Sequence, residues 1–156
     1  ITAKGQPIVY YGEELGQTGA NNWPLQENRY DMNWSIANND NDMLVHYKKL
    51  LDIRNKNTDI FAKGTRKTIA IDNDNKTLVV SRTYGDDTLY VGFNINDTAE
   101  REVELTLNKT SVYADLYNNV EYTTDENGKV VVTLPAAKNG GTVVLKLIKS
   151  VDSTEE

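Results

Sequence analysis

The sequence predicts a mainly β chain, an antiparallel β-sandwich preceded by one β/α unit cut from a parallel sheet. Three observations carry this prediction. From about residue 60 onward, short β-like runs recur roughly every ten residues and are separated by turn chemistry. Ahead of them, residues 40–57 carry apolar side chains at helical spacing. At the start, Pro7-Ile8-Val9-Tyr10-Tyr11 is continuously apolar rather than alternating, as in a parallel strand buried on both faces.

The opening run ends in a glycine-framed acidic pair, Gly12-Glu13-Glu14-Leu15-Gly16, and the first residue is not methionine. A lone parallel strand cannot form a sheet, so the run is expected either to be the last strand of something larger or to pair in some makeshift way within this chain. A long polar loop holding both tryptophans follows, to about residue 36. The helix is then read from Met43, Tyr47, Leu50, Leu51 and Arg54 as one stripe. Asn39, Asp40 and Asn41 offer cap oxygens, Asp42 suits the positive end of the helix dipole, and Lys48, Lys49, Arg54 and Lys56 suit the negative end.

Seven β runs are expected: 67–71, 78–84, 89–94, 101–107, 112–117, 129–134 and 142–148. Glu102-Val103-Glu104-Leu105-Thr106-Leu107 alternates, so one face is buried and one wet. Breaks fall at 72–75, 85–87, 96–97, 118–119, 127–128 and 139–141, all rich in Asn, Asp or Gly. Asn127-Gly128, between Tyr122 and Val130, predicts a hairpin with a type I′ turn. Residues 150–156 read as a polar tail or linker.

Composition excludes several classes. The net charge is −6 and the basic residues are scattered, so there is no footprint for nucleic acid. Cysteine is absent and His46 is the only histidine, which leaves transition metals almost no ligands and serine-nucleophile chemistry one base to share. No metal or other cofactor is expected. Asp72-Asn73-Asp74-Asn75 begins like a calcium loop but lacks its glycine and distal glutamate, so a solvated turn is the stronger reading. No stretch approaches the ~20 apolar residues of a membrane span. Four Asn-x-Ser/Thr matches are of the number an asparagine-rich chain produces by chance.

Gly5-Gln6-Pro7-Ile8-Val9-Tyr10-Tyr11-Gly12-Glu13-Glu14-Leu15-Gly16 resembles the eighth-strand segment of the α-amylase family, glycoside hydrolase family 13. Asn28-Arg29-Tyr30-Asp31-Met32-Asn33-Trp34 resembles the loop that follows it, with Asp31 where many members have proline. Residues 44–54 are similar to the eighth helix, and 61–64 stand where that helix hands over to the family's C-terminal β-sandwich, domain C. The Asn-Arg-x-Asp-Met-x-Trp form is most similar to pullulanase and amylopullulanase members.

The resemblance implies a remnant of a TIM barrel over 1–58, domain C over 59–149, and a parent enzyme that hydrolyses α-glucosidic bonds in starch-like glucans with retention. Its catalytic carboxylates would lie after barrel strands upstream of this segment, so no catalytic residue is expected here and the chain alone should be inactive. Partners are then the rest of the parent barrel and an α-glucan. The expected setting is bacterial, extracellular or at the cell surface, with the cytoplasm as the alternative.

Four residues are candidates for a remnant of the substrate cleft. Glu13 could accept from a sugar hydroxyl or order Arg29, and Glu14 reads as a structural partner or a ligand contact. Trp23 could stack on a pyranose or plug the loop, and Arg29 could donate a fork of hydrogen bonds. Trp34 reads as packing. Two other readings compete: a stand-alone carbohydrate-binding module using Tyr84, Tyr90, Tyr113, Tyr117 and Tyr122 as a platform, and a sandwich for protein contacts. Self-association is expected through the 5–11 strand and the 43–51 helix face, which would otherwise be exposed apolar surface.

Overall fold

The computed structural model describes residues 1–18 and 31–150. The chain divides into two compact units: Ile1 with Gln6–Lys56, and Thr2–Gly5 with the chain from Asn57 onward.

In the first unit, helix α1 spans Asp42–Lys56. Of the three predicted cap residues, Asn41 does the capping: its Oδ1 accepts from the Leu44 N–H at 3.1 Å. The buried face is Leu50, Ile53 and Arg54, whereas Met43 is 44% exposed. The expected stripe is thus displaced toward the C-terminal half and takes in Ile53. The predicted strand at 5–11 does not form. The segment is irregular, with Ile8 91% exposed and Tyr10 and Tyr11 also exposed. A parallel strand exists only through its ladder, and among the described residues this one has no ladder partner.

Among the described residues the strands number eight, and the second unit holds them: β1 Thr65–Asp72, β2 Thr77–Tyr84, β3 Asp87–Asn94, β4 Arg101–Thr106, β5 Ser111–Asp115, β6 Val120–Thr123, β7 Lys129–Leu134 and β8 Thr142–Ser150. Six make one sheet in the order β1-β2-β3-β8-β5-β6, and β4 pairs with β7 in a second. Every pairing is antiparallel, as the sequence predicts. The last strand, β8, sits in the middle of the large sheet, between β3 and β5.

The burial pattern follows from this placement. In β4, Leu105 is buried and Val103 and Glu104 alternate as expected, because the two-stranded sheet has one wet face. Val79, Tyr113, Val143 and Leu145 of the large sheet pack with Leu105, Val130, Val132 and Leu134 of the small one. The register places Val80, Arg82, Leu89, Val91 and Val144 on the opposite face. That face is also buried, which is why β2 and the start of β8 show continuous burial instead of alternation.

A helix absent from the sequence reading, α2 at Thr58–Lys63, contributes the buried Ile60 and Phe61 to this second unit. Its last turn ends on Arg82, whose Nη2 donates to the carbonyls of Phe61 at 2.7 Å and Gly64 at 3.0 Å. A buried cation at a helix C-terminus satisfies carbonyls that have no partner within the helix.

The Asn127-Gly128 turn is a second departure. Gly128 has φ 82° but Asn127 is not among the positive-φ residues, so the turn is not type I′. It does not close a hairpin either: β6 pairs with β5, and β7 with β4. Asp125 organises it, its Oδ1 accepting from the N–H groups of Asn127 and Lys129, both at 2.8 Å. The Gly128 carbonyl accepts from Leu107 N–H, so the turn carries the chain from the large sheet to the small one. β6 itself was not among the predicted runs, being four residues long and preceded by Asn118-Asn119.

The five tyrosines are packing groups rather than a platform. Tyr113 and Tyr117 are buried, Tyr90 and Tyr122 lie against the core, and only Tyr84 is exposed.

Candidate functional site

The glycine-framed acidic pair forms a tight 3-10 turn at Glu13–Leu15. Gly12 (φ 87°) and Gly16 (φ 68°) are both left-handed, a conformation costly for residues with a Cβ. At Gly12 space is also limiting, since a Cβ there would lie 3.1 Å from Gln17 Cβ.

Side chains lock the turn to its neighbours. Gln17 reaches the following loop in both directions, its Nε2 donating to the Asp31 carbonyl at 3.0 Å and its Oε1 accepting from Asn33 N–H at 3.1 Å. Asn41 Nδ2 donates to the carbonyls of Leu15 at 3.0 Å and Ile36 at 3.1 Å, while its oxygen caps α1. One asparagine therefore fixes the turn, the loop and the helix start together.

Glu13 is exposed, and its carboxylate accepts from the Tyr10 N–H at 3.3 Å. Glu14 is half-buried, and its Oε2 is fully enclosed with no hydrogen-bond partner among the described residues. The phenol of Tyr47, from α1, lies in the field of both. Burial pushes its pKa up, and the negative charges of Glu13 and Glu14 push the same way. His46 beside it is held below the usual range by burial and by Lys49, with the N-terminal amine adding to it. It makes an edge contact with the Tyr47 ring at 6.4 Å.

Of the four predicted site residues, the structure thus puts Glu13 and Glu14 in one turn. Trp23 and Arg29 lie outside the described residues. Trp34 is exposed, against the expectation of packing. Gln17, Asn41 and Tyr47 complete the cluster. Asn41 was legible as a cap, but its reach to Leu15 spans 26 residues and left no local signal.

The turn's two carboxylates, with the Tyr47 phenol of α1 in their field, are a set suited to accepting hydrogen bonds from hydroxyls. Among the described residues no group of acidic, His or Cys side chains is placed to hold a metal ion. The carboxylate of Asp72 is spent within its own turn, accepting from the N–H groups of Asp74 and Asn75 and from the Asn75 amide.

No family model matches the chain. Individual proteins do. It is 32% identical over 101 residues to a cyclomaltodextrinase of Geobacillus thermopakistaniensis, a match covering 64% of this chain and 16% of that protein. It is 30% identical over 109 residues to an intracellular maltogenic amylase of Bacillus subtilis, covering 67% and 18%. An amylopullulanase of Thermoanaerobacter thermohydrosulfuricus matches at 27% over 139 residues, covering 82% and 9%. The chain therefore spans less than a fifth of the length of these relatives.

Among solved structures, an Anoxybacillus α-amylase superposes with a TM-score of 0.77 at 22% identity, over 96% of this chain and 30% of that one. The α-amylase of Geobacillus thermoleovorans, solved with acarbose, gives 0.72 at 23% identity over 95% and 31%. The eight antiparallel strands thus have the fold of an α-amylase C-terminal domain. With the sequence relatives, this makes the chain a member of the α-amylase family, glycoside hydrolase family 13, matching a C-terminal part of its enzymes.

Proposed function

We propose that the chain is the C-terminal segment of a retaining α-glucan hydrolase acting on starch-like substrates. In this reading residues 1–58 complete the catalytic barrel, 59–149 form domain C, and 150–156 are a tail or linker. The observation that carries it is the match of 30–32% identity to short portions of two much longer glucan-processing enzymes. Retaining hydrolysis needs two carboxyl groups on opposite sides of the scissile bond, about 5 Å apart. Glu13 and Glu14 are consecutive in one turn, and Glu13 is already engaged with Tyr10 N–H. We therefore assign them to the wall of the cleft, keep Trp23 and Arg29 as candidates from the sequence alone, and assign the reacting carboxylates to the upstream barrel.

Alone, the chain is inactive and self-associates through the exposed Ile8, Tyr10, Tyr11 and Met43, the surface that the rest of the barrel covers in the parent.

The test is hydrolysis of amylose and pullulan. The 156-residue chain should release no reducing sugar, while a chimera in which it replaces the matched region of the Bacillus subtilis maltogenic amylase should be active. Sugar release by the chain alone, abolished by Glu13→Gln or Glu14→Gln, would overturn the assignment. Light scattering at high concentration should give a dimer, and a clean monomer would remove the self-association.

A further inference from the structure

On the β-domain, a groove of about 590 Å³ lies over the face of the large sheet that turns away from the small one. The register defines that face. Arg66 lies opposite Arg82, and Leu78 opposite Phe93, so Arg66 of β1, Val80 and Arg82 of β2 and Phe93 of β3 share it. Thr2, Ala3 and Lys4, which belong to the same compact unit, form a further part of the wall. The Gly5 N–H ties that segment to the Ala62 carbonyl of α2 at 3.3 Å.

The lining defines the chemistry of an occupant. Its surface is mainly apolar, with Val80 buried and Phe93 half-buried. Its charged groups are all cations, Lys4, Arg66 and Arg82, in a chain whose net charge is −6. Arg82 is buried and already donates to two carbonyls, but its charge remains. Lys4 and Arg66 are exposed, and neither has an acidic partner among the described residues. A carboxylate next to an apolar group meets both demands at once. A cation is repelled, and a wholly apolar occupant leaves the ammonium and the guanidinium unanswered.

The backbone beside the groove selects a peptide over a free aliphatic acid. Thr65 and Arg66 line the groove, and β1, at the end of the large sheet, pairs only with β2 among the described residues. The outward N–H and C=O groups of an edge strand are open to an added extended segment. A bulge between Thr68 and Ala70 interrupts this edge. Its regular part is therefore 65–68, the stretch that carries Arg66 and Lys67.

We propose that the groove seats an extended acidic segment of the upstream barrel, with a bulky apolar side chain in the groove and carboxylates on Lys4 and Arg66. The source of the segment rests on the functional reading above. The two fail separately, because hydrolysis by the chimera reports on that reading and peptide binding reports on the groove.

The probes are capped pentapeptides that alternate glutamate with leucine, lysine with leucine, or glutamate with serine, together with decanoate. In amide NMR of the 156-residue chain, the glutamate–leucine peptide should shift residues 2–4, 64–68, 80, 82 and 93 and leave the others in place. It should bind about tenfold more tightly than each other probe, and the margin over the lysine peptide should shrink with added salt. Arg66→Glu, at an exposed position, should weaken it about tenfold by turning one attraction into a repulsion, with the rest of the spectrum unchanged. By fluorescence anisotropy the labelled peptide should bind the chain but not the chimera, whose barrel fills the groove. Four results would overturn the seat: no shifts at these residues, equal binding of the lysine or serine peptide, decanoate binding as tightly, or unchanged affinity in Arg66→Glu. Equal binding by the chain and by an active chimera would overturn the barrel as the occupant.

Discussion

The guanidinium of Arg82 lies beneath the end of a one-and-a-half-turn helix, 2.7 Å from the carbonyl of Phe61. Arg82 is 1% exposed, and it reaches the Gly64 carbonyl with the same nitrogen. A six-residue helix is too short to persist by its own hydrogen bonds, so α2 depends on what it packs against and on this cap.

Arg82→Met keeps the buried stem and removes the donors, leaving helix-end carbonyls enclosed without partners. A loss of about 3 kcal/mol is expected, seen as a lower urea midpoint at unchanged slope. Arg82→Lys should recover only part of it, because the lysine side chain is shorter and its ammonium ends short of the Nη2 position that meets both carbonyls.

Gly92 offers a second test. A Cβ at this position would sit 2.6 Å from Leu134 Cδ2, at the junction of the two sheets. Gly92→Ala should cost about 1–3 kcal/mol by overpacking. Leu134→Ala should cost about 2–5 kcal/mol by opening a cavity. The double variant should be less destabilised than the sum, since each change accommodates the other.

Alkaline pH should weaken the sandwich. Burial pushes the phenols of Tyr90, Tyr113, Tyr117 and Tyr122 up, and for Tyr117 the charge of Asp115 adds to it. A folded-state pKa above the unfolded value favours the protonated fold. That stabilisation is complete below about pH 10 and is lost as pH rises through the raised values. Urea midpoints should therefore hold through neutral pH and fall above about pH 10. Tyr113→Phe should flatten the fall.

Asn41 tests the cleft turn. Asn41→Ala should remove about 1 kcal/mol of capping, with faster hydrogen exchange at Leu44 and no change in β2 or β3. Asn41→Asp keeps the cap oxygen but loses the donor to Leu15 and Ile36. It should protect Leu44 while still loosening the turn at residues 13–16. Equal protection of those amides in the wild type and in Asn41→Asp would remove the tie from Asn41.

Much of this was readable in advance. The alternation in β4 and the spacing of the turns predicted an antiparallel β-domain, and helical periodicity predicted α1. Other elements were hidden for identifiable reasons. With only six residues, α2 shows no full period, although Asp59 in its first turn and Gly64 at its end were weak signals. The Asn127-Gly128 pair carries a hairpin signature, but local chemistry names a turn without naming the sheet that receives the next strand. Glu13 and Glu14 were legible as a pair. Their setting among Gln17, Asn41 and Tyr47 was not, because it depends on contacts from distant parts of the chain.

By itself, then, the sequence determined the short-range features: seven of the eight strands of the β-domain, where the chain turns, and the resemblance of its opening motif. Those rest on side-chain period and on backbone preference, which act over a few residues. The tertiary structure decided that β8 enters the middle of the large sheet, that Arg82 is buried against helix carbonyls, and that the tyrosines pack. It also decided that residues 5–11 hold no ladder. Each of these depends on the partner that satisfies a buried polar group or covers an apolar face, and such a partner can lie anywhere along the chain.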